Sequence, residues 1–390
     1  MRIVMLNHNV AWRGGTFFRA YHFANQMVRR GHEVTLVTIS AGRRFGLRQE
    51  MLDGLKVVYT PDWLWGRGRT GWDPWDTLRR LLYVNQGEGW DLVHAFDSRP
   101  AVIFPALWLQ RRGVPLVLDW ADWWGRGGTI EERNTGFLVK KLIGPIEAYL
   151  EEAFRTRAQG TTVISTALRQ RAIELGVPAE SIATIPQGSD VVNLYPLDRA
   201  QCRRSLGLAE EASIVGYLGA LNSSDAELLF STYDCLRRSR PECLLLMIGE
   251  HRASLPHTSG ILETGYVTRK ELRLYLGAAD LMLLPLKDTV ASRGRWPSKV
   301  NDYLSAGRAV VGSAVGDVRD LFDRHNIGRA TADEPEILAQ AAEALLSDSS
   351  LRHEMELNAR RVAETLLAWP TLSGQLEAHY HFVLDRMKLN

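Results

Sequence analysis

Short runs of consecutive apolar residues alternate along the chain with longer stretches whose apolar positions recur every three or four residues. RIVMLN opens the chain as a buried strand. A loop with Gly14 and Gly15 follows, and then FFRAYHFANQMVRRG. There Phe17, Tyr21, Ala24 and Val28 share one helical face, and Gly31 marks the stop. EVTLVTIS, LKVVYT, DLVHAF, PLVLDW and GTTVIST are the next strand-like runs. Such continuous apolar runs predict strands covered on both faces, hence a largely parallel sheet sandwiched between helices.

The rhythm pauses at IPQGSDVVNLYPLDRAQCRRSLGL, whose two prolines, Gln-Gly turn and polar residues predict an interdomain linker. It restarts with SIVGYLGAL, CLLLMIGE, GILETGYV, DLMLLPL and RAVVGS. The fold class expected is therefore α/β, with two doubly wound, Rossmann-like domains. The first covers 1–190 and the second 191–370. The final stretch, from about Leu351 to Asn390, reads as helical, with a kink or change of direction at Trp369-Pro370. In open sheets of this kind ligands sit beyond the carboxyl ends of the strands, so the crevice between the domains is the expected site.

Composition adds limits. The chain has 390 residues, enough for two cores, and a net charge of only +2, which gives no basic track for nucleic acid. Cys202, Cys235 and Cys243 form no CxxC pair, which argues for reduced thiols and against a disulfide framework or a zinc site. The opening MRIVMLNHNV is too short and too polar at Asn7–Asn9 for a signal peptide, and no apolar run reaches the ~18–20 residues of a membrane span. A cytoplasmic protein is expected, attached at most to the inner membrane face.

One stretch concentrates chemistry. GRWPSKVNDYLSAGRAVVGSAVGD sets cations and one carboxylate at a helix entrance between two strands. Arg293, Arg295 and Lys299 lie just before or within the first turn, and Pro297 suits that turn. Guanidinium and ammonium groups there would stabilise charge growing on a departing phosphate oxygen. Asp302 follows Lys299 by three positions on the same face; the plain alternative is a surface ion pair worth a few tenths of a kcal/mol.

These segments, taken in order, carry a resemblance. The Gly14-Gly15 loop, RRGHEVTLVT, DLVHAF, GYLGAL, LLLMIGE, TGYV, AADLMLLPL and PSKVNDYLSAGRAVV resemble the retaining GT-B glycosyltransferases, the family of glycogen synthases, sucrose-phosphate synthases and bacterial mannosyltransferases. The resemblance implies transfer of a sugar from a nucleoside-diphosphate sugar to an acceptor hydroxyl, with no metal or other cofactor. It implies that Asp302 holds the ribose hydroxyls, that backbone groups at Val267 meet the nucleobase, and that the C-terminal helix, 371–390, packs back on the first domain. Gly14, Gly15 and Gly219 would let backbone N–H groups approach a phosphate or sugar. Glu250, at another strand end, is either a donor-site residue or surface.

The chain departs from the family pattern at three places. The first of two acids falls at Gly294, the usual Arg/Lys pair after Gly219 reads Ala220 and, approximately, Ser224, and the histidine of a His-Asp loop reads Ala121. Either Arg293 and Arg295 compensate for the missing cations or donor binding is weak. Asp119 and Asp122 remain as carboxylates able to serve as general base toward the acceptor, which would open inversion as an outcome; Asp122 as a helix or turn cap is the alternative. His94 and His8 read either as site or as packed residues, and Arg19 as a solvated charge. Trp63, Trp65, Trp72 and Trp75 stand among Arg67, Arg69, Arg79 and Arg80. That mixture suits a membrane interface or a carbohydrate acceptor, against a loop packed on its own domain, and Asp62, Asp73 and Asp76 weigh against the membrane. The expected partners are the donor and a sugar, lipid-linked or small-molecule acceptor. A non-catalytic nucleotide-sugar-binding scaffold is the rival, supported by the three departures.

Overall fold

The computed structural model describes residues 1–390 except 43–44, 87–88, 133–136, 222, 251–258 and 390, and describes no side chain at 67, 137–140 or 223. The chain divides into two compact units, Met1–Pro186 with Trp369–Asn390, and Gln187–Ala368.

Among the described residues the first unit holds one eight-stranded sheet. Its strands are β1 (Arg2–Val10), β2 (Glu33–Ile39), β3 (Arg48–Leu52), β4 (Leu55–Thr60), β5 (Leu92–Phe96), β6 (Leu116–Trp120), β7 (Gly160–Val163) and β8 (Ile182–Thr184). Their order is β3-β4-β2-β1-β5-β6-β7-β8, with β1 pairing in parallel to both β2 and β5. Ile3, Val4, Met5 and Leu6 are wholly buried, as successive residues must be when helices cover both faces. One face packs the helix Gly15–Arg29 and the final helix Trp369–Leu389 through Phe17, Phe23, Trp369, Leu376 and Tyr380. The other packs Val4, Leu6, Val93, Ile103 and Leu118.

The hairpin β3–β4 breaks the parallel rule. It is antiparallel and closes at Asp53-Gly54, where both residues have positive φ, 49° and 86°. That turn forces the strands back on each other with the right twist. The polar strand RQEML, absent from the strand runs expected above, follows from it.

Among the described residues the second unit holds a six-stranded parallel sheet: β9 (Ile214–Leu218), β10 (Leu244–Ile248), β11 (Ile261–Glu263), β12 (Leu281–Leu284), β13 (Ala309–Ser313) and β14 (Gly328–Thr331), in the order β11-β10-β9-β12-β13-β14. The segment expected as a plain linker is more structured than its composition suggested. Arg199–Leu206 is a helix, capped by Asp198 accepting from the Gln201 N–H at 2.7 Å and stopped by left-handed Gly207. The helical tail is interrupted where expected: one helix ends at Thr365 and the next begins at Trp369, with Pro370 in its first turn, where its missing N–H leaves no gap.

Candidate active site

In the second unit the strand ends bring the expected donor residues together. Gly219 closes β9 with φ 84° and donates its N–H to Ile248 O at 2.8 Å. A Cβ on Gly249 would come within 3.6 Å of Gly219 Cα, so β9 and β10 end side by side, with exposed Glu250 following. Beyond β11, the Gly249 N–H donates to Thr264 Oγ1 at 3.0 Å, and Val267 leads into the helix Arg269–Ala278. Arg269 at that helix start pairs with Asp302 at 3.2 Å. Asp302 belongs to the helix Lys299–Ser305, which Asn301 fixes by donating to Gln187 O at 2.7 Å and accepting from the Trp296 indole at 2.6 Å. Burial pushes the Asp302 carboxyl up, against the opposing pull of Arg269.

Lys299 does not pair with Asp302. Its ammonium donates to the Tyr217 hydroxyl and lies 3.9 Å from that ring's centroid, at the end of β9. Burial lowers its pKa to about 7, with Asp225 raising it and Arg295 lowering it further. Arg295 reaches Asp225 at 3.4 Å and Ser292 Oγ at 3.2 Å. Asp225 stands in the first turn of the helix that follows the Gly219 loop. Thus Arg295 and Lys299 gather beside the positions where the usual Arg/Lys pair is missing. Arg293 does not join them: it is exposed and held bidentate by Asp288 at 2.6 and 2.7 Å. Pro297 lies outside the helix it was expected to open, two residues before its first residue, Lys299.

In the first unit, Gly14 and Gly15 border a cavity of about 760 Å³. Gly14 has φ 80°, and a Cβ there would meet Asn9 Nδ2 at 2.7 Å, so only glycine lets the loop turn against β1. His8, Arg99, Asp122 and Glu147 also line this space. Burial lowers the His8 pKa to about 4, with Asp97 pulling the other way. Glu151 holds the loop that carries Asp122. Its carboxylate accepts from the Trp120 indole at 2.9 Å, from the Trp124 N–H at 2.8 Å and from the Gly125 N–H at 2.5 Å. Desolvation raises its pKa to about 7.

Asp119 is not placed to act as a base. It is buried, and Arg19 grips both its oxygens with N···O distances of 3.0–3.2 Å, while the Thr162 hydroxyl donates at 2.6 Å. Arg19, expected as a solvated charge, is 1% exposed and also donates to Ile185 O and Pro186 O. His94 is a packed residue, 2.6 Å from the Tyr380 hydroxyl, and burial lowers its pKa to about 3.

The segment Trp63–Arg80 inverts its expected polarity. Asp62, Asp73, Asp76 and Arg80 are buried. Asp73 accepts from the Leu64 N–H at 2.5 Å and from that of Trp63, and Asp76 holds Arg80 at 2.7 Å. Trp63 stacks on Trp75 with centroids 4.7 Å apart, while Trp63 and Trp65 stay exposed, Trp65 at 79%. The aspartates that weighed against a membrane contact are therefore internal ligands of the loop. The Arg67 side chain lies outside the described residues.

Sequence reasoning missed Arg99, Trp124, Glu147 and Glu151. Glu147 and Glu151 sit one turn apart on the helix Phe137–Ala153, and that i,i+4 carboxylate pair was the available signal. Among the described residues no group of three His, Cys, Asp or Glu side chains is placed to hold a metal ion, and no helix is long and apolar enough to cross a membrane.

Two family profiles match one after the other: the Glycosyl transferase 4-like domain over residues 14–188, and Glycosyl transferases group 1 over 212–348. A candidate teichuronic acid biosynthesis glycosyltransferase of Bacillus subtilis (strain 168) is 21% identical over 66% of this chain and 68% of its own. One component of the human (Homo sapiens) phosphatidylinositol N-acetylglucosaminyltransferase is 31% identical over 94 residues, 24% of this chain and 19% of that one. Among solved structures, sucrose-phosphate synthase from Thermosynechococcus elongatus superposes with a TM-score of 0.75 over 99% of both chains at 16% identity, which establishes the shared fold.

Proposed function

Because the chain belongs to the GT-B glycosyltransferases related to the glycosyl transferase 4 and glycogen synthase-like families, and transfers a sugar from a nucleoside-diphosphate donor, we propose that Gln187–Ala368 holds that donor and Met1–Pro186 holds the acceptor. The observation that carries this is the convergence of Gly219, Glu250, Val267, Lys299 and Asp302 at the carboxyl ends of β9–β11. Ligands of parallel sheets bind at those ends. In this reading Lys299 and Arg295 stabilise the departing diphosphate, Asp302 accepts from the ribose, and backbone groups near Val267 meet the base. Arg293, turned to Asp288, is left out.

On the acceptor side the Gly14-Gly15 loop and Asp122 border the cavity. Transfer proceeds with retention, and Asp122 positions the acceptor hydroxyl. Relatives named for teichuronic acid and for phosphatidylinositol support a role in glycan or glycolipid synthesis. Exposed Trp63 and Trp65, freed of neighbouring surface carboxylates, support contact with the inner membrane face.

The deciding experiment is a thermal-shift and turnover panel of UDP-, GDP-, ADP- and TDP-sugars on wild type and Asp302→Ala. At least one donor should stabilise and be consumed by the wild type, and Asp302→Ala should lose the stabilisation. Silence toward all four at low salt would favour the scaffold reading.

A further inference from the structure

The cavity beside Gly14 has two kinds of wall. The end of β1 and the first turn of the helix Gly15–Arg29 contribute polar groups, with His8, Asn9 and Thr16 lining the space. The opposite contributions are largely apolar: Trp72 and Trp124 from two loops, Ile130, and Ile143 and Ile146 from the helix Phe137–Ala153, which also sets the Glu147 carboxylate beside them, while Arg99 supplies a cation. At about 760 Å³ the space is large enough for a ligand of several rings or a sugar with a long substituent.

The apolar side is open to solvent. Ile143 and Ile146 line the cavity and are themselves about half exposed. On the same helix Leu142 and Tyr149 are still more exposed, Tyr149 at 63%. Residues 142, 146 and 149 recur at helical spacing, so one apolar stripe leads from the surface to the cavity edge. Across the mouth Gly68 lines the cavity, and a Cβ on it would touch Leu64 Cδ1 at 3.1 Å; Leu64 too is exposed. Isoleucine offers a polyhydroxylated sugar no hydrogen bond. It offers a hydrocarbon substituent close dispersion contact and removal from water.

We infer that the acceptor is amphiphilic: its hydroxyl stands at the polar end near Asp122, and a hydrocarbon portion lies along Trp72, Trp124, Ile143 and Ile146. This rests on the glycosyl-transfer reading and names its acceptor class.

The test uses the full chain and n-alkyl glucosides from hexyl to decyl, below their micelle concentrations, with free glucose as reference. Binding is read by tryptophan fluorescence, which Trp72 and Trp124 report, and by calorimetry. Each added methylene should tighten binding about three- to fourfold. In Ile146→Glu and in Ile143→Glu, both at half-exposed positions where folding tolerates charge, the chain-length dependence should vanish, while donor-induced thermal stabilisation persists. Glucose binding as tightly as decyl glucoside would overturn the inference, as would a chain-length series unchanged in both variants. If no nucleotide sugar binds yet the series holds, the transfer reading fails and the amphiphile site stands. If donors bind and the series is flat, only the amphiphile site falls. Sedimentation with phosphatidylglycerol–phosphatidylcholine vesicles separates the sources: pelleting of wild type but not Ile146→Glu assigns a membrane-borne acceptor, and retention of both in the supernatant assigns a soluble one. Both results keep the hydrocarbon requirement set by the series.

Discussion

The Lys299 ammonium donates to the Tyr217 hydroxyl and lies 3.9 Å from the centroid of that ring, so one cation is stored on an aromatic face at the end of β9. Burial brings its pKa down to about 7 from 10.5. A diphosphate arriving beside it favours the charged form, so donor binding should take up a proton at pH 7.5–8.5. Calorimetry in buffers of different ionisation enthalpy should show that uptake, and Lys299→Met should abolish it. Linkage adds a second signature. The folded protein releases this proton near pH 7 and the unfolded chain near 10.5, so Lys299 makes stability rise with pH across that window. Urea midpoints of Lys299→Met should lack that rise.

Asp302 is shared between Arg269, at 3.2 Å, and its proposed donor contact. Arg269 is more than half exposed, so this ion pair contributes little, about 0.2–1 kcal/mol. Arg269→Ala should therefore change the donor KM less than about fivefold. Asp302→Asn should raise it at least tenfold, since hydrogen bonds to a charged acceptor contribute about 1.5–3 kcal/mol. Equal effects of the two substitutions would remove Asp302 from the ribose.

The parallel sheets were legible because buried parallel strands leave uninterrupted apolar runs, as in Ile3–Leu6 and Leu281–Leu284. The hairpin β3–β4 was not, because its outer strand RQEML is polar and exposed at a sheet edge, although Asp53-Gly54 announced the turn. At the site, glycines and the helix entrance were legible from their position after strands. Partner choice was not. Arg293 turns to Asp288, five residues before it, but Arg295 turns to Asp225, seventy residues away, and Asp119 meets Arg19 across a hundred residues. Charge partners set by long-range packing leave no spacing to read.

The Arg19–Asp119 pair belongs to the fold. Both groups are 1% exposed, and Arg19 also satisfies two backbone carbonyls before the chain leaves the first unit. Removing one partner leaves the other charge buried, at a cost of about 3–5 kcal/mol. Asp119→Ala should lower the urea midpoint of the first unit's transition accordingly. Turnover per folded molecule should stay within about tenfold of wild type, well short of the 10²–10⁴ lost with a general base.

Asp122 borders the cavity from the loop that follows β6. If it orients the acceptor hydroxyl under retention, Asp122→Asn keeps the hydrogen bond and should lower kcat about tenfold, short of the 10²–10⁴ expected for loss of a general base. NMR of the product should show the donor's anomeric configuration preserved in both proteins. A loss beyond about 10³-fold together with an inverted product would assign Asp122 as the base instead.

Glu151 decides where Asp122 sits, because its carboxylate gathers Trp120, Trp124 and Gly125 around one buried point. Desolvation holds its pKa near 7, against 4.5 unperturbed. The folded state therefore keeps a proton between pH 4.5 and 7 that the unfolded chain has already released. Stability contributed by Glu151 is fully present below pH 4.5 and is lost as pH rises to about 7. Glu151→Gln removes the titration while keeping one carbonyl acceptor. The melting temperature of wild type relative to Glu151→Gln should fall steadily over that window and level off above it. Because Glu151 ties the loop on both sides of Asp122, Glu151→Ala should raise the acceptor KM while leaving donor-induced stabilisation intact. A parallel loss of both would place its effect in the folding of the whole first unit.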